Sequence, residues 1–125
     1  MRCLLDSHVV LWWLGMDPYK LKDPLRDLIA NADEVFVSIA TVWELEIKRS
    51  IGKLRLPIND WKRVQTTGLT FLQIELKDAL RAAALPTLHR DPFDRMMVAQ
   101  ALEGELTLIT RDARLLDYGV ATLKA

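Results

Sequence analysis

The sequence predicts an α/β protein, a three-layer α/β/α sandwich with a central, mainly parallel sheet of four to five strands. Short apolar runs without polar alternation indicate strands that are buried on both faces. These runs alternate along the chain with helical stretches, which is typical of βα units with helices on both faces of one sheet. The length of 125 residues fits one domain covering residues 1–125, large enough for a core without disulfides or a structural metal.

The first elements are a strand and two helices. Residues 2–5 contain a short continuous apolar run, Cys3 to Leu5, and predict a buried strand. A helix is expected over residues 7–14, where Gly15 interrupts the pattern. Asp23 and Pro24 then form a typical helix start, with Asp as the cap and Pro at the first helical position.

The middle of the chain continues the alternation. Residues 35–37 predict the second strand, and Ser38 is a natural cap for a third helix. We expect that helix to end near Gly52, which tolerates a left-handed conformation. A weaker helix is predicted over residues 60–67, where Gly68 stops it.

The last part of the chain supplies the remaining units. Residues 71–74 predict the third strand, and an Ala- and Leu-rich helix over residues 76–85 ends before Pro86. Pro92 opens the next helix, which we expect to end at Gly104. The final predicted elements are a strand over residues 106–109, a short helix over 112–116 and an edge strand over 120–123.

Composition excludes several classes of protein. The 17 basic and 17 acidic side chains balance, which argues against coating of nucleic acid by bulk charge but leaves room for a local basic rim. The single cysteine, Cys3, lies in an apolar run and is expected to be a buried, unreactive thiol. The longest apolar run, residues 9–16, is far shorter than the roughly 20 residues of a membrane-spanning helix. Asp6 interrupts the apolar start too early for a secretory signal, so we expect a cytoplasmic protein with no membrane contact.

Four acidic residues are predicted at one edge of the sheet. Asp6 closes the first strand, Glu44 lies in the second turn after strand two, Asp94 in the first turn of its helix, and Asp112 follows strand four. Ligands of such sheets bind beyond the carboxyl ends of the strands. Gathered carboxylates repel unless a cation holds them, and oxygen ligands suit Mg²⁺. Two such ions would activate water for in-line attack on a phosphodiester and stabilise the leaving oxygen.

Four stretches, LLDSHVVLWWL, SIATVWELEIK, HRDPFDRMMVAQA and LITRD, occur in that order. Together they make the chain resemble the PIN-domain ribonucleases, in particular the VapC-type toxins, over residues 2–123. The resemblance implies that Asp6, Glu44 and Asp94 hold Mg²⁺ or Mn²⁺. It assigns Asp112 to a fourth, more variable acidic position and Thr110 to a hydroxyl beside it.

The same resemblance implies the activity and the partners. We expect a metal-dependent endoribonuclease that cleaves structured RNA by two-metal hydrolysis and acts as the toxin of a type II toxin–antitoxin system. A cognate antitoxin and a homodimer are implied as well. On this hypothesis Asp6→Asn abolishes RNA cleavage and leaves thermal stability largely intact.

Each acid also has a structural interpretation. Asp6 and Asp112 suit helix caps, and Glu44 has the i, i+4 spacing for an ion pair with Lys48. Asp91 precedes Pro92 and is expected to cap the helix, with Asp94 completing a capping box. These alternatives stay open at this level.

Basic and aromatic residues near the acids complete the expected site. His89, Arg90, Arg95 and Arg111 are candidates for contacts with substrate phosphates. Of the adjacent Trp12 and Trp13, one is expected in the core and the other at a protein interface.

Two non-catalytic functions compete with the nuclease hypothesis. A receiver-like signalling module would need a phosphoacceptor Asp after strand three, where Glu75 stands instead. A degenerate PIN-like module would bind a partner protein without cleaving RNA, and would then show no dependence on divalent metal.

Overall fold

Five parallel strands form the centre of the computed structural model, which describes residues 1–125. Across the sheet the order is β3-β2-β1-β4-β5, and every neighbouring pair is parallel. The predicted α/β/α sandwich is confirmed, and the sheet is parallel throughout. The strands are β1 (Arg2–Leu5), β2 (Glu34–Ser38), β3 (Thr70–Leu72), β4 (Thr107–Thr110) and β5 (Thr122–Lys124).

Five α-helices cover the sheet. They are α1 (Ser7–Trp13), α2 (Asp23–Ala30), α3 (Ile39–Ser50), α4 (Leu76–Ala84) and α5 (Pro92–Gly104). Three further segments, Pro18–Lys20, Trp61–Thr67 and Ala113–Tyr118, are 3₁₀-helical. The last two replace predicted α-helices. Each is a short connecting segment that ends at a left-handed glycine, Gly68 or Gly119, and 3₁₀ turns are frequent in such connections. None of the helices is both long and apolar enough to cross a bilayer.

The core has two layers because consecutive strand residues point to opposite faces. Cys3 and Leu5 of β1 pack with α1, α2 and α3 on one face, whereas Leu4 between them packs against α5 on the other. Trp12 is buried in the first layer, and Trp13 is half-buried with the Arg26 guanidinium over its ring at 6.0 Å. One tryptophan of the pair is therefore in the core, as expected.

Two predicted boundaries are wrong for identifiable reasons. Lys22, not Asp23, is the N-cap of α2, and no side chain caps this helix; Pro24 is accommodated because first-turn N–H groups need no intrahelical partner. Strand β3 ends at Leu72 rather than at residue 74. The carbonyl of Gln73 accepts a hydrogen bond from the Gln100 side chain instead of joining the sheet.

Candidate active site

The carboxyl edge of the sheet opens into a polar cleft of about 440 Å³. The topology brings together the four acids that the sequence places far apart: Asp6 after β1, Glu44 on α3, Asp94 on α5 and Asp112 after β4. The other lining residues are Ser7, His8, Lys48, His89, Asp91, Arg111, Ala113 and Arg114. A single cleft therefore holds five carboxylates and a surrounding set of cationic and imidazole side chains.

Asp6 is buried at the N-terminus of α1 and accepts three hydrogen bonds. Its Oδ1 accepts from the backbone N–H of Val9 (2.9 Å), so the helix-cap interpretation is confirmed. Its Oδ2 accepts from the Thr110 hydroxyl (2.5 Å) and from the backbone N–H of Arg111 (3.1 Å). A carboxylate offers about four lone-pair positions, so this side chain keeps one for a further ligand while it ties β1 to the end of β4.

Glu44 is buried on α3 and has only one partner. Its Oε2 lies 3.5 Å from the Lys48 ammonium, the i, i+4 pair that the sequence allowed. Its Oε1 is excluded from solvent and has no hydrogen-bond partner, the only such buried side-chain atom in the structure. Burial raises the pKa of Glu44, against the opposing effect of Lys48. Burying a carboxylate oxygen without a hydrogen-bond partner lowers the stability of the fold. A ligand bound in the cleft would supply the missing partner.

Asp91 and Asp94 both lie at the start of α5 but have different hydrogen-bond partners. Asp91 Oδ1 accepts from the backbone N–H groups of Phe93 (2.8 Å) and Asp94 (3.3 Å) and is the N-cap. The Asp94 carboxylate turns instead to the ring of His89, with Oδ2 2.6 Å from Nε2, so the predicted capping box is only half formed. Burial raises the pKa of Asp94, and the hydrogen bond from His89 opposes that shift.

Asp112 begins the 3₁₀ turn after β4 and is held by Arg114. Its carboxylate accepts from the Arg114 guanidinium, with Oδ2 to Nη2 at 2.7 Å, and caps the turn through the Arg114 backbone N–H at 3.0 Å. The hydrogen bonds from Arg114 lower the pKa of Asp112 to about 2. Thr110, expected beside this acid, accepts from the Asp112 N–H at 3.0 Å and thereby links it to Asp6.

Tyr118 fixes the loop that carries His89, a role that the sequence did not indicate. Its hydroxyl accepts from the His89 backbone N–H (2.8 Å) and donates to the His89 carbonyl (3.3 Å). The two residues are 29 positions apart, so no local pattern could have connected them. Lys48 and Arg114 also contribute to the cleft, although the sequence marked Lys48 only as a helix pair for Glu44.

The predicted phosphate contacts separate into two groups. Arg111 and His89 line the cleft, whereas Arg90 is exposed outside it. The prediction that Arg95 contacts a substrate phosphate is corrected by its hydrogen bonds. Its guanidinium donates to four backbone carbonyls at 2.8 to 3.2 Å, those of Ala82, Leu85, Pro86 and His89. With these bonds Arg95 fastens the end of α4 to the start of α5, so its donors face the protein and not the cleft.

The donor set fits a hard divalent cation. Atoms of His89, Asp94 and Asp112 lie within 4.8 Å of one another and form the tightest group of metal-ligating atoms. Asp6 and Glu44 border the same cleft but are turned towards Thr110 and Lys48. Carboxylate oxygens are the ligands that Mg²⁺ and Mn²⁺ prefer, and Glu44 adds to the cleft a carboxylate with one unpartnered oxygen, Oε1.

Comparison with curated proteins identifies one informative relative. Ribonuclease VapC22 of Mycobacterium tuberculosis (strain ATCC 25618 / H37Rv) is 34% identical over 120 residues, which cover 90% of this chain and 88% of that protein. Such an identity over nearly the full length of both chains extends the likeness well beyond the site itself.

Solved structures share the fold. The crystal structure of VapBC2 from Rickettsia felis bound to a DNA fragment from their promoter aligns with a TM-score of 0.72 and 16% identity, covering 99% of this chain and 98% of that chain. FitAcB from Neisseria gonorrhoeae aligns with a TM-score of 0.67 and 20% identity, covering 98% and 97%. The PIN domain family model matches residues 3–121. With the acids of the cleft placed as described, these findings show that the chain belongs to the PIN-domain family.

Proposed function

We propose that this PIN-domain protein is a metal-dependent endoribonuclease and the toxin of a type II toxin–antitoxin pair. The curated relative is a VapC ribonuclease, and the structural neighbours are VapBC and FitAB complexes. The observation that carries the proposal is the buried, unpartnered Glu44 Oε1 in a cleft with four further carboxylates. An acidic cleft repels RNA, so phosphodiester chemistry there requires a cation between them.

The chain's own residues suggest how such a site is organised. Asp6, Glu44 and Asp94 would hold the first Mg²⁺ or Mn²⁺, and Asp112 would support a second. When bound, these ions would polarise the phosphodiester and lower the pKa of the attacking water. Thr110 and the backbone at the end of β4 fix the orientation of the Asp6 carboxylate.

The loop and the basic rim contribute orientation and substrate contacts. Tyr118 holds the loop so that the His89 imidazole stays against Asp94. Arg111 and Arg114 are exposed at the cleft and are positioned to contact phosphates flanking the cleaved bond. Arg90 would contact phosphates only at the periphery of the site. The Arg95 guanidinium is not available for such a contact, because it is bonded to backbone carbonyls.

Cleavage of a labelled RNA tests the proposal directly. We expect the wild-type protein to cut within a structured RNA in the presence of Mg²⁺ or Mn²⁺, and EDTA to stop the reaction. Mapping the cut sites on total cellular RNA would then define the target. Cleavage that persists in EDTA would contradict the metal-dependent mechanism, and a lack of cleavage with either ion would favour the degenerate, protein-binding alternative.

The protein partners are part of the same proposal. Trp43 and Ile47 on α3 and Ile51 at its C-cap recur every four residues and form an exposed apolar stripe. Such a stripe is typical of a surface that another chain covers, and it supports the antitoxin and homodimer that the family resemblance implies. Light scattering on the purified protein, with and without an antitoxin encoded beside it, would measure both. The cytoplasmic location stays a prediction.

A further inference from the structure

A second groove opens beside the acidic cleft, between the C-terminal ends of α1 and α3. This α1–α3 groove has a volume of about 380 Å³ and shares Ser7, His8, Lys48 and Arg111 with the cleft. A chain leaving the cleft on this side would therefore enter the groove directly. Its other lining residues are Leu11, Trp12, Met16, Asp17, Lys20, Leu45, Lys53 and Leu54.

Two helix ends build the groove in the same way. Gly15 after α1 has φ +106°, and Gly52 after α3 has φ +76°, a left-handed conformation that side chains with a Cβ rarely adopt. Beyond each glycine, Met16 and Lys53 donate their backbone N–H to the carbonyl five residues earlier, at 2.9 Å in both cases. These reversals turn the chain back and place Met16 and Lys53 in the lining.

The charge of the groove is opposite to that of the cleft. Its lining carries four cationic side chains and a single carboxylate, Asp17. Lys20 lies 3.8 Å from Asp17, and Lys48 is paired with Glu44. The exposed side chains of Lys53 and Arg111 form no ion pair with any acidic residue. Two cations are thus free to bind an anionic ligand.

The base of the groove is apolar. Leu11, Trp12 and Leu45 are buried beneath it, and Met16 and Leu54 are half-buried in its walls. Sites for single-stranded nucleic acid combine cations for the phosphates with a flat face for the bases, most often an aromatic one. Here the cations are present, and the face open to a base is the aliphatic pair Met16 and Leu54. The volume is near the lower end of ligand sites, roughly 300–1,000 Å³, which suits a ligand of the size of a single nucleotide.

We propose that the α1–α3 groove holds the unpaired nucleotide adjoining the cleaved phosphodiester of the RNA. Lys53 and Arg111 contact its phosphates, and its base lies over Met16 and Leu54. The inference rests on the proposed ribonuclease function and adds a substrate requirement: the RNA must be single-stranded on the side of the cut that enters the groove.

Binding of a fluorescent single-stranded oligoribonucleotide, followed by anisotropy, tests the groove. All variants carry Glu44→Gln so that the probe is not cut, and a parallel series uses the otherwise wild-type chain in EDTA. We expect Lys53→Ala to weaken binding about threefold to tenfold, and to reduce the dependence of log K on log salt by about 0.7, the value for one lost phosphate contact. Lys62→Ala is the matched control, because Lys62 is exposed and lies outside both the cleft and the groove.

Photocrosslinking provides an independent test of whether the RNA occupies the groove. A 4-thiouridine next to the cut site should crosslink to peptides containing Met16 or Leu54, and pairing that nucleotide into a duplex should abolish both the crosslink and the cleavage. Equal RNA affinity of the Lys53→Ala and Lys62→Ala variants, or crosslinks only elsewhere, would overturn the groove assignment.

Two further outcomes distinguish a failure of the groove assignment from a failure of the proposed ribonuclease function. If the wild-type protein cleaves RNA but Lys53→Ala weakens only the binding of a cognate protein partner, the groove belongs to that partner and the inference fails alone. If the wild-type protein cleaves no RNA with Mg²⁺ or Mn²⁺, the proposed function fails and the inference falls with it.

Discussion

Asp6 and Glu44 are both expected ligands, yet the structure predicts opposite effects on stability when each loses its charge. Asp6 accepts from two backbone N–H groups, one at each carboxylate oxygen. An asparagine has one acceptor oxygen, so either Val9 or Arg111 would face an amide donor. We expect Asp6→Asn to lower the free energy of unfolding by about 1–3 kcal/mol, a fall in Tm on the order of 5–15 °C. This prediction differs from the one drawn from sequence alone, that the substitution would leave stability largely intact.

Glu44→Gln should behave differently. The substitution removes a buried charge whose pKa is raised by burial, and it loses one ion pair with Lys48, whose side chain is 42% exposed. An ion pair of that exposure contributes at most about 1 kcal/mol, which relief of the buried charge offsets. We therefore expect the Tm of the metal-free protein to stay unchanged or rise by a few degrees, while RNA cleavage is lost.

The two measurements are thermal melting in EDTA and cleavage of a quenched fluorescent RNA in Mg²⁺. Glu46→Gln is the matched control on the same helix: Glu46 binds Arg49 and Trp61 outside the cleft, so its loss should affect stability and not cleavage. A Glu44→Gln protein that melts as early as Asp6→Asn would show that the buried carboxylate is structural. One that cleaves at the wild-type rate would remove Glu44 from the site.

Three further predictions follow from other contacts. Arg95→Ala should lower the Tm by several degrees, about 2 kcal/mol for four lost hydrogen bonds, with cleavage by the folded protein retained; lost cleavage at unchanged Tm would contradict its structural role. Because the folded-state pKa values of Glu44 and Asp94 are raised, their protonation should stabilise the folded, metal-free protein as the pH falls from neutral towards the ordinary carboxylate pKa. This gain in stability to urea should be smaller in Glu44→Gln, and parallel pH profiles of the two proteins would refute the reasoning. Arg114→Ala should release Asp112 from its main partner, so Mn²⁺ titration by calorimetry should show tighter binding than to wild type, and an unchanged Kd would exclude Asp112 as a ligand.

The fold could be predicted from sequence because each signal for it is local. The apolar run of β1 and the Ser38 cap of α3 act over a few residues, and the structure contains both. Prediction failed where a distant residue decided the outcome. Strand β3 ends early because Gln100, 27 positions away, takes the carbonyl of Gln73. Such a contact leaves no periodicity in the sequence.

The same distinction between local signals and distant contacts applies to the candidate site. The convergence of Asp6, Glu44, Asp94 and Asp112 follows from the parallel α/β arrangement, since the carboxyl ends of parallel strands and the helices that begin beside them meet at one edge. The orientation of each carboxylate within the cleft does not follow. It depends on partners such as Tyr118, which is joined to the site by a loop contact across 29 positions.

The arrangement of cations explains how an acidic cleft of this kind folds and still admits an anionic substrate. Lys48 and Arg114 each neutralise one acid from the solvent side, with 42% and 68% of their side chains exposed. Because their partners are held by long, exposed side chains, those contacts are weak and exchangeable. Asp6, by contrast, is fixed by two backbone N–H donors, which are less mobile than a long side chain. Asp6 is thus the fixed acid of the cleft, and on the proposed function the exchangeable cations would shift to phosphate once Glu44 and Asp112 held metal.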